Sequence, residues 1–220
     1  NCSTKSLGIR LLAFLPIKIM PKVAGRGQAA ILSPEELQTL CNLIPIGQHR
    51  TISYCLTFTS ARVSEVLQLQ WKDITDSHIV FGNNITKTGL TREVNLHPTL
   101  KEHLEEYKTK YWYKYPLLNK NNKNSEWRLP HSSEWLFKGR KGHLSRQAYD
   151  KQLRRYLNAL SIKGGSTHSY RRSGLSLAKD NGLSLSDIQD ISGHVSLEAL
   201  KKYLAPNENA KKKVVSSFGW

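Results

Sequence analysis

Residues 191–203 read ISGHVSLEALKKY, a Gly-His turn followed by a short helical stretch that ends at a tyrosine nine residues after the histidine. Tyr203 is one of nine tyrosines. Taken alone, it is most simply a half-buried aromatic whose hydroxyl reaches water. Upstream, residues 164–173 read GGSTHSYRRS, where His168 and Arg171 stand three apart. A helix starting here, with Thr167 as its cap, puts an imidazole beside a guanidinium at a helix N-terminus, where backbone N–H groups also favour an anion. Further upstream, residues 60–71 read SARVSEVLQLQW. Arg62 and Glu65 share one helical face at this spacing, so the carboxylate can fix the arginine's conformation. Between these segments, ITKTGLTRE (85–93) carries Lys87 in a turn between two β-like runs, where a long cationic side chain at a hairpin tip can reach a polyanion.

The composition agrees with an anionic partner. Lys and Arg number 33 against 17 Asp and Glu, for a net charge of +16 over 220 residues. An excess of that size favours nucleic acid, since each cation set on a phosphate releases condensed counterions. With 39% apolar and 23% charged residues the chain can bury a globular core. The three cysteines Cys2, Cys41 and Cys55 form no C-x-x-C pair and read as reduced thiols of a cytoplasmic protein, Cys55 as a small core residue. IRLLAFLPIKIM (9–20) is interrupted by Pro16 and Lys18 and does not read as a signal peptide. The chain begins without methionine, as a fragment or processed product would.

The element pattern is mainly α with one small antiparallel β-sheet, an α+β class. Ser33, Pro34 and Glu36 form a capping box that opens a helix in SPEELQTLCNLI (33–44). Residues 51–69 are helical and apolar with a break around Phe58–Arg62. Residues 78–97 alternate as a three-stranded antiparallel sheet, a helix follows Pro98, and 110–133 read as a loop or insertion. Another helix spans 145–160, with Tyr149, Leu153, Tyr156 and Leu160 on its apolar face. The next ends at Asn181-Gly182, and Leu185, Ile188 and Ile191 mark a short helix before Gly193. Residues 1–32 read as a linker or remnant ahead of a catalytic domain at 33–205, and 206–220 as a tail that docks on a neighbouring protomer.

In this order, Arg-x-x-Glu, a hairpin lysine, His-x-x-Arg, Gly-His and a tyrosine nine residues on, the segments resemble the catalytic domain of the tyrosine recombinases, the phage integrase family. The resemblance implies the DNA breaking-rejoining fold. It implies that Arg62 and Arg171 clamp the scissile phosphate, that Tyr203 is the nucleophile forming a 3′-phosphotyrosyl link, and that Lys87 protonates the leaving 5′ oxygen. His168 and His194 would assist proton transfer and phosphate binding, and Glu65 would support Arg62. No cofactor or metal is implied, because the arginines take the charge-neutralising role, and no ATP, because the phosphotyrosine conserves the bond energy. The implied partners are double-stranded DNA, a homotetramer assembled on it, and accessory DNA-bending proteins. The sequence departs from the family pattern at Ser60, where glycine is usual, at Ala199 and Leu200, which replace a threonine pair, and at Arg172, where many members have a second histidine. The resemblance leads to the expectation that the core-binding domain that usually precedes this one is absent or reduced to residues 1–32.

Two other readings share part of this evidence. A type IB topoisomerase-like enzyme would use the same chemistry, and a catalytically silent basic module would bind DNA without cutting it. An anionic-membrane binder lacks support, because the chain offers no basic amphipathic helix.

Overall fold

A computed structural model describes residues 28–112, 130–140 and 142–204. The expected linker up to residue 27, most of the expected insertion (113–129) and the C-terminal tail lie outside them.

Helix α1 (Pro34–Leu43) starts as the sequence requires: the Glu36 N–H donates to Ser33 Oγ and the Ser33 N–H to the Glu36 carboxylate. Helix α2 (Gln48–Thr59) is the central rod. Ile52, Cys55 and Leu56 are wholly buried, and α1, α4 (Pro98–Glu106) and α6 (Thr167–Asp180) pack around it. A helix covered on most sides needs small or satisfied polar residues as well as apolar ones. Ser53 supplies one, bonding the buried hydroxyls of Tyr149 and Tyr170 at 2.8 and 3.1 Å. The break after Thr59 is real: Ser60 adopts left-handed backbone (φ 50°) and α3 (Val63–Leu67) starts anew beyond it.

Strands β1 (His78–Phe81) and β2 (Arg92–Asn95) pair antiparallel with Phe81 opposite Arg92 and Ile79 opposite Val94. The expected third strand is not formed. Both Ile85 and Thr86 N–H groups turn back to the Gly82 carbonyl, and the Thr86 hydroxyl bonds the Leu90 carbonyl. These local bonds satisfy the backbone that a ladder would have used. A separate two-residue hairpin, β3 (Lys138–Gly139) with β4 (Gly142–His143), lies later in the chain. Residues 110–112, expected in a loop, continue the winding of α4 through a π-helical turn (Tyr107–Tyr111), because Tyr107 and Trp112 are buried against the edge of the core near Trp71.

Helix α5 (Arg146–Ala159) is capped by Ser145 and buries Tyr149, Leu153 and Leu157. Helix α6 is capped by Ser166, one residue before the expected Thr167, which is itself buried as the first helical residue. Helices α7 (Leu185–Ser192) and α8 (Leu197–Lys201) complete the order. The apolar interior falls into two parts. A large core runs from Leu32 through α2 to Tyr170, and a smaller one joins Leu175, Ile188, Leu200 and Leu204, with Tyr203 packed on its rim. Residues 28–32 belong to the packed body: Leu32 is buried, its N–H bonds Ser173 Oγ at 2.7 Å, and the Ala30 N–H bonds the Gly164 carbonyl.

Candidate active site

Arg62 is the residue on which α3 begins. It sits in extended backbone just before the helix rather than on its face, and Glu65 holds it twice: one carboxylate oxygen accepts the Arg62 N–H at 3.0 Å, the other its Nη1 at 2.8 Å. The same carboxylate accepts Nη2 of Arg92 at 2.7 Å. Burial alone would raise the Glu65 carboxyl, but the hydrogen bond from Arg62 and the charge of Arg92 outweigh it and hold the group below its ordinary value. Glu65 is therefore an anion between two guanidinium groups, and the ensemble is cationic.

Arg171 projects from the first turns of α6 and is 1% exposed. Two main-chain carbonyls aim it: Nη1 donates to Ser60 at 2.8 Å and Nη2 to Ser192 at 2.7 Å. Its Nε–H is buried without an acceptor among the described residues. Burial, then the neighbouring Arg62, lowers its pKa to about 10, which leaves it charged at neutral pH. A buried, charged N–H donor with no acceptor among the described residues is suited to receive an anion.

Ser60 and Gly174 explain how this carbonyl is presented. A Cβ on Gly174 would fall 2.1 Å from Ser60 Oγ, so a side chain here would force the Ser60 hydroxyl out of its present position, and glycine on α6 lets the left-handed Ser60 turn pack close. The serine that departs from the family pattern is thus accommodated from the opposite element.

His194 follows Gly193, whose left-handed φ of 63° ends α7. A side chain at Gly193 would be strained by that φ and would also press on Arg92 Cδ at 3.2 Å. The His194 ring lies 2.6 Å from Ser192 Oγ through Nδ1 and 3.3 Å from Arg171 Nη2 through Nε2. Burial, then the charges of Arg171 and Arg62, lowers its pKa to about 4. His168, near the start of α6, is shifted down by burial and by Arg146 and Arg171, with Arg146 Nη2 3.5 Å from its Nε2. Both imidazoles are neutral at neutral pH.

Tyr203 closes the site. Ser196 caps α8, Leu200 and Leu204 one turn apart anchor it in the smaller core, and Tyr203 is left half-buried between them. Its ring centroid lies 4.9 Å from that of His194 and 6.5 Å from that of His168, with the Arg171 guanidinium carbon 5.5 Å away. Arg62, Glu65, His168, Arg171, His194 and Tyr203 therefore come together. Lys87 does not join them: it is exposed on the 82–91 loop between β1 and β2, a loop that leads into Arg92, which does touch Glu65.

A sequence model described as the phage integrase family matches residues 31–210. This chain belongs to the phage integrase family. A relative from Sinorhizobium fredii, named as integrase/recombinase y4qK, is 30% identical over 178 residues, covering 79% of this chain and 51% of the relative. The integrase of Mycobacterium phage L5 is 25% identical, covering 90% and 54%. This integrase-family chain thus spans about half the length of those two relatives. Its fold is that of solved recombinases. The XerH site-specific recombinase in a post-cleavage complex with a palindromic difH substrate aligns with a TM-score of 0.65 at 23% identity, covering 84% of this chain and 52% of that one. XerA recombinase gives 0.62 at 20%, covering 86% and 65%. A lambda integrase dimer bound to a core site gives 0.55 at 18%, covering 79% and 47%.

Three residues of the site escaped sequence reasoning. Arg92 was legible in principle, as an arginine on the inward-facing register of β2 shared with Val94. Ser60 and Ser192 act through their carbonyls, which no side-chain pattern reveals.

Proposed function

We propose that this chain is the catalytic part of a site-specific DNA recombinase that cleaves and rejoins strands through a 3′-phosphotyrosyl intermediate. The observation that carries the reading is the convergence on Tyr203 of Arg171, with its unpartnered buried Nε–H, Arg62 and two neutral imidazoles. The guanidinium groups bind the non-bridging oxygens of the scissile phosphate and stabilise the charge of the pentavalent transition state. The Tyr203 oxygen forms a bond to phosphorus as the bond from phosphorus to the 5′ oxygen breaks. The phenolic proton passes to an acceptor at the site, a role the neutral His168 can fill, and Lys87 delivers a proton to the departing 5′ oxygen. His194 contacts the phosphate, and Glu65 keeps Arg62 in place. A phenol ionises near pH 10 and needs such cations to act at neutral pH.

The partners in this reading are double-stranded DNA, further copies of the chain in a tetramer on that DNA, and accessory bending proteins, in the host cytoplasm or nucleoid. Residues 33–205 form the catalytic domain and 206–220 the docking tail. Incubation with nicked suicide duplexes carrying candidate recombination sites, followed by denaturing electrophoresis, tests it. Wild type should form a covalent protein–DNA adduct and Tyr203→Phe none; an adduct with Tyr203→Phe rejects the assignment.

A further inference from the structure

Arg171 and Arg172 are consecutive on α6, so their side chains leave the helix about 100° apart. Arg171 faces the anion site. Arg172, 8% exposed, turns the other way and divides its guanidinium among three acceptors. Nε donates to the carbonyl of Tyr203 at 3.3 Å, Nη2 to Gln28 Oε1 at 2.9 Å, and Nη1 to the carbonyl of Ala29. One planar group thus bridges the backbone of the tyrosine to the segment that enters along α6 at residues 28–32, itself fastened by Ala30 to Gly164 and by Leu32 to Ser173.

We propose that Arg172 is a positioning residue for Tyr203, and that through it the aim of the tyrosine depends on residues 28–29 being seated on α6. The inference rests on the cleavage reaction proposed above. Its physical basis is that α8 is five residues long and rests on four buried apolar side chains, Leu175, Ile188, Leu200 and Leu204, so a hydrogen bond from a fixed guanidinium to the Tyr203 carbonyl removes much of the freedom left at its C-terminal end. Lysine cannot replace Arg172, because a single ammonium does not present three donors in one plane. Drawing residues 28–29 off α6 leaves the guanidinium with one of its three acceptors, and its own orientation is lost.

The test uses the full chain with two readouts. Single-turnover adduct formation at saturating duplex should slow about 10- to 100-fold in Arg172→Ala, less in Arg172→Lys, and about 2- to 5-fold in Gln28→Ala, with duplex affinity within about twofold of wild type. Amide hydrogen exchange should accelerate in residues 197–204 of the same variants and stay unchanged in α2. A purely structural arginine would lower the active fraction and the melting temperature while the remaining molecules reacted at the wild-type rate. Gln28→Ala decides the matter should Arg172→Ala fail to fold. Wild-type rates and wild-type exchange at 197–204 in Gln28→Ala and Arg172→Lys overturn the proposal. Should wild type itself form no adduct, the recombinase reading falls, and the exchange comparison alone upholds or rejects the link from Arg172 to Tyr203.

Discussion

Arg171 and His194 share one pocket, where burial first, and then the fixed positive charge of Arg171, keeps the imidazole from gaining a charge of its own. The consequence for stability has a definite sign. Between about pH 4 and its ordinary 6.5, His194 binds a proton when unfolded and not when folded. The unfolded state therefore takes up more protons in that window, and stability falls as the pH drops through it and is flat above it. His168 shifts in the same direction. His194→Gln should flatten the acid side of a plot of folding free energy against pH, removing on the order of 1–3 kcal/mol of pH-dependent loss; parallel curves for the two proteins would show that the imidazole is not held neutral. At this scale the sequence was informative wherever identity carries the role. Arg62, His168, Arg171, His194 and Tyr203 stand in an ordered set of motifs, and the structure gathers them. Ser60 and Ser192 were invisible because any residue has a carbonyl, and Arg92 because the inward face of a strand is known only once its register is.

Among the elements, the contact between the α2–α3 turn and α6 fixes the aim of Arg171. Ser60 occupies a left-handed conformation unfavourable to a residue with a side chain, and its hydroxyl lies where a Cβ on residue 174 would sit, against a helix face that Gly174 leaves open. Gly174→Ala should destabilise the fold by about 1–3 kcal/mol and lower anion affinity at the site. Ser60→Gly, which removes the clashing hydroxymethyl group and relaxes the backbone, should recover most of that loss. Denaturant unfolding of the four proteins of the cycle measures the coupling, and strictly additive effects would mean that the two residues do not press on each other. The start of α1 at Ser33 and the end of α7 at Gly193 were readable because capping is local, whereas the cap of α6 falls on Ser166, one residue before Thr167. A run of alternating residues suggests a third strand but does not reveal that Gly82 and Thr86 close the backbone onto itself. The winding through Tyr111 was missed because it depends on burial of Tyr107 and Trp112 beside Trp71, a contact between distant segments.

Across the whole molecule, a net charge of +16 sets long-range behaviour that no single contact determines. In the proposed complex these charges meet phosphates, so the dissociation constant for a duplex should rise about 1,000-fold between 50 and 200 mM salt. An affinity insensitive to salt would mean that the excess is not spent on the DNA backbone. The division of the interior into two cores separates the two halves of the proposed chemistry. Arg62 and its partners stand on the large core, while Tyr203 rides on the rim of the small one with α7 and α8. Local opening favours regions with little buried apolar surface, so α8 with Tyr203 should open under thermal stress before Arg62 and Glu65, which stand on the large core. In the proposed complex, a chain in that condition would still grip DNA through Arg62 and the basic surface while lacking its means of cutting, so partial damage to the fold would silence cleavage instead of leaving broken strands behind.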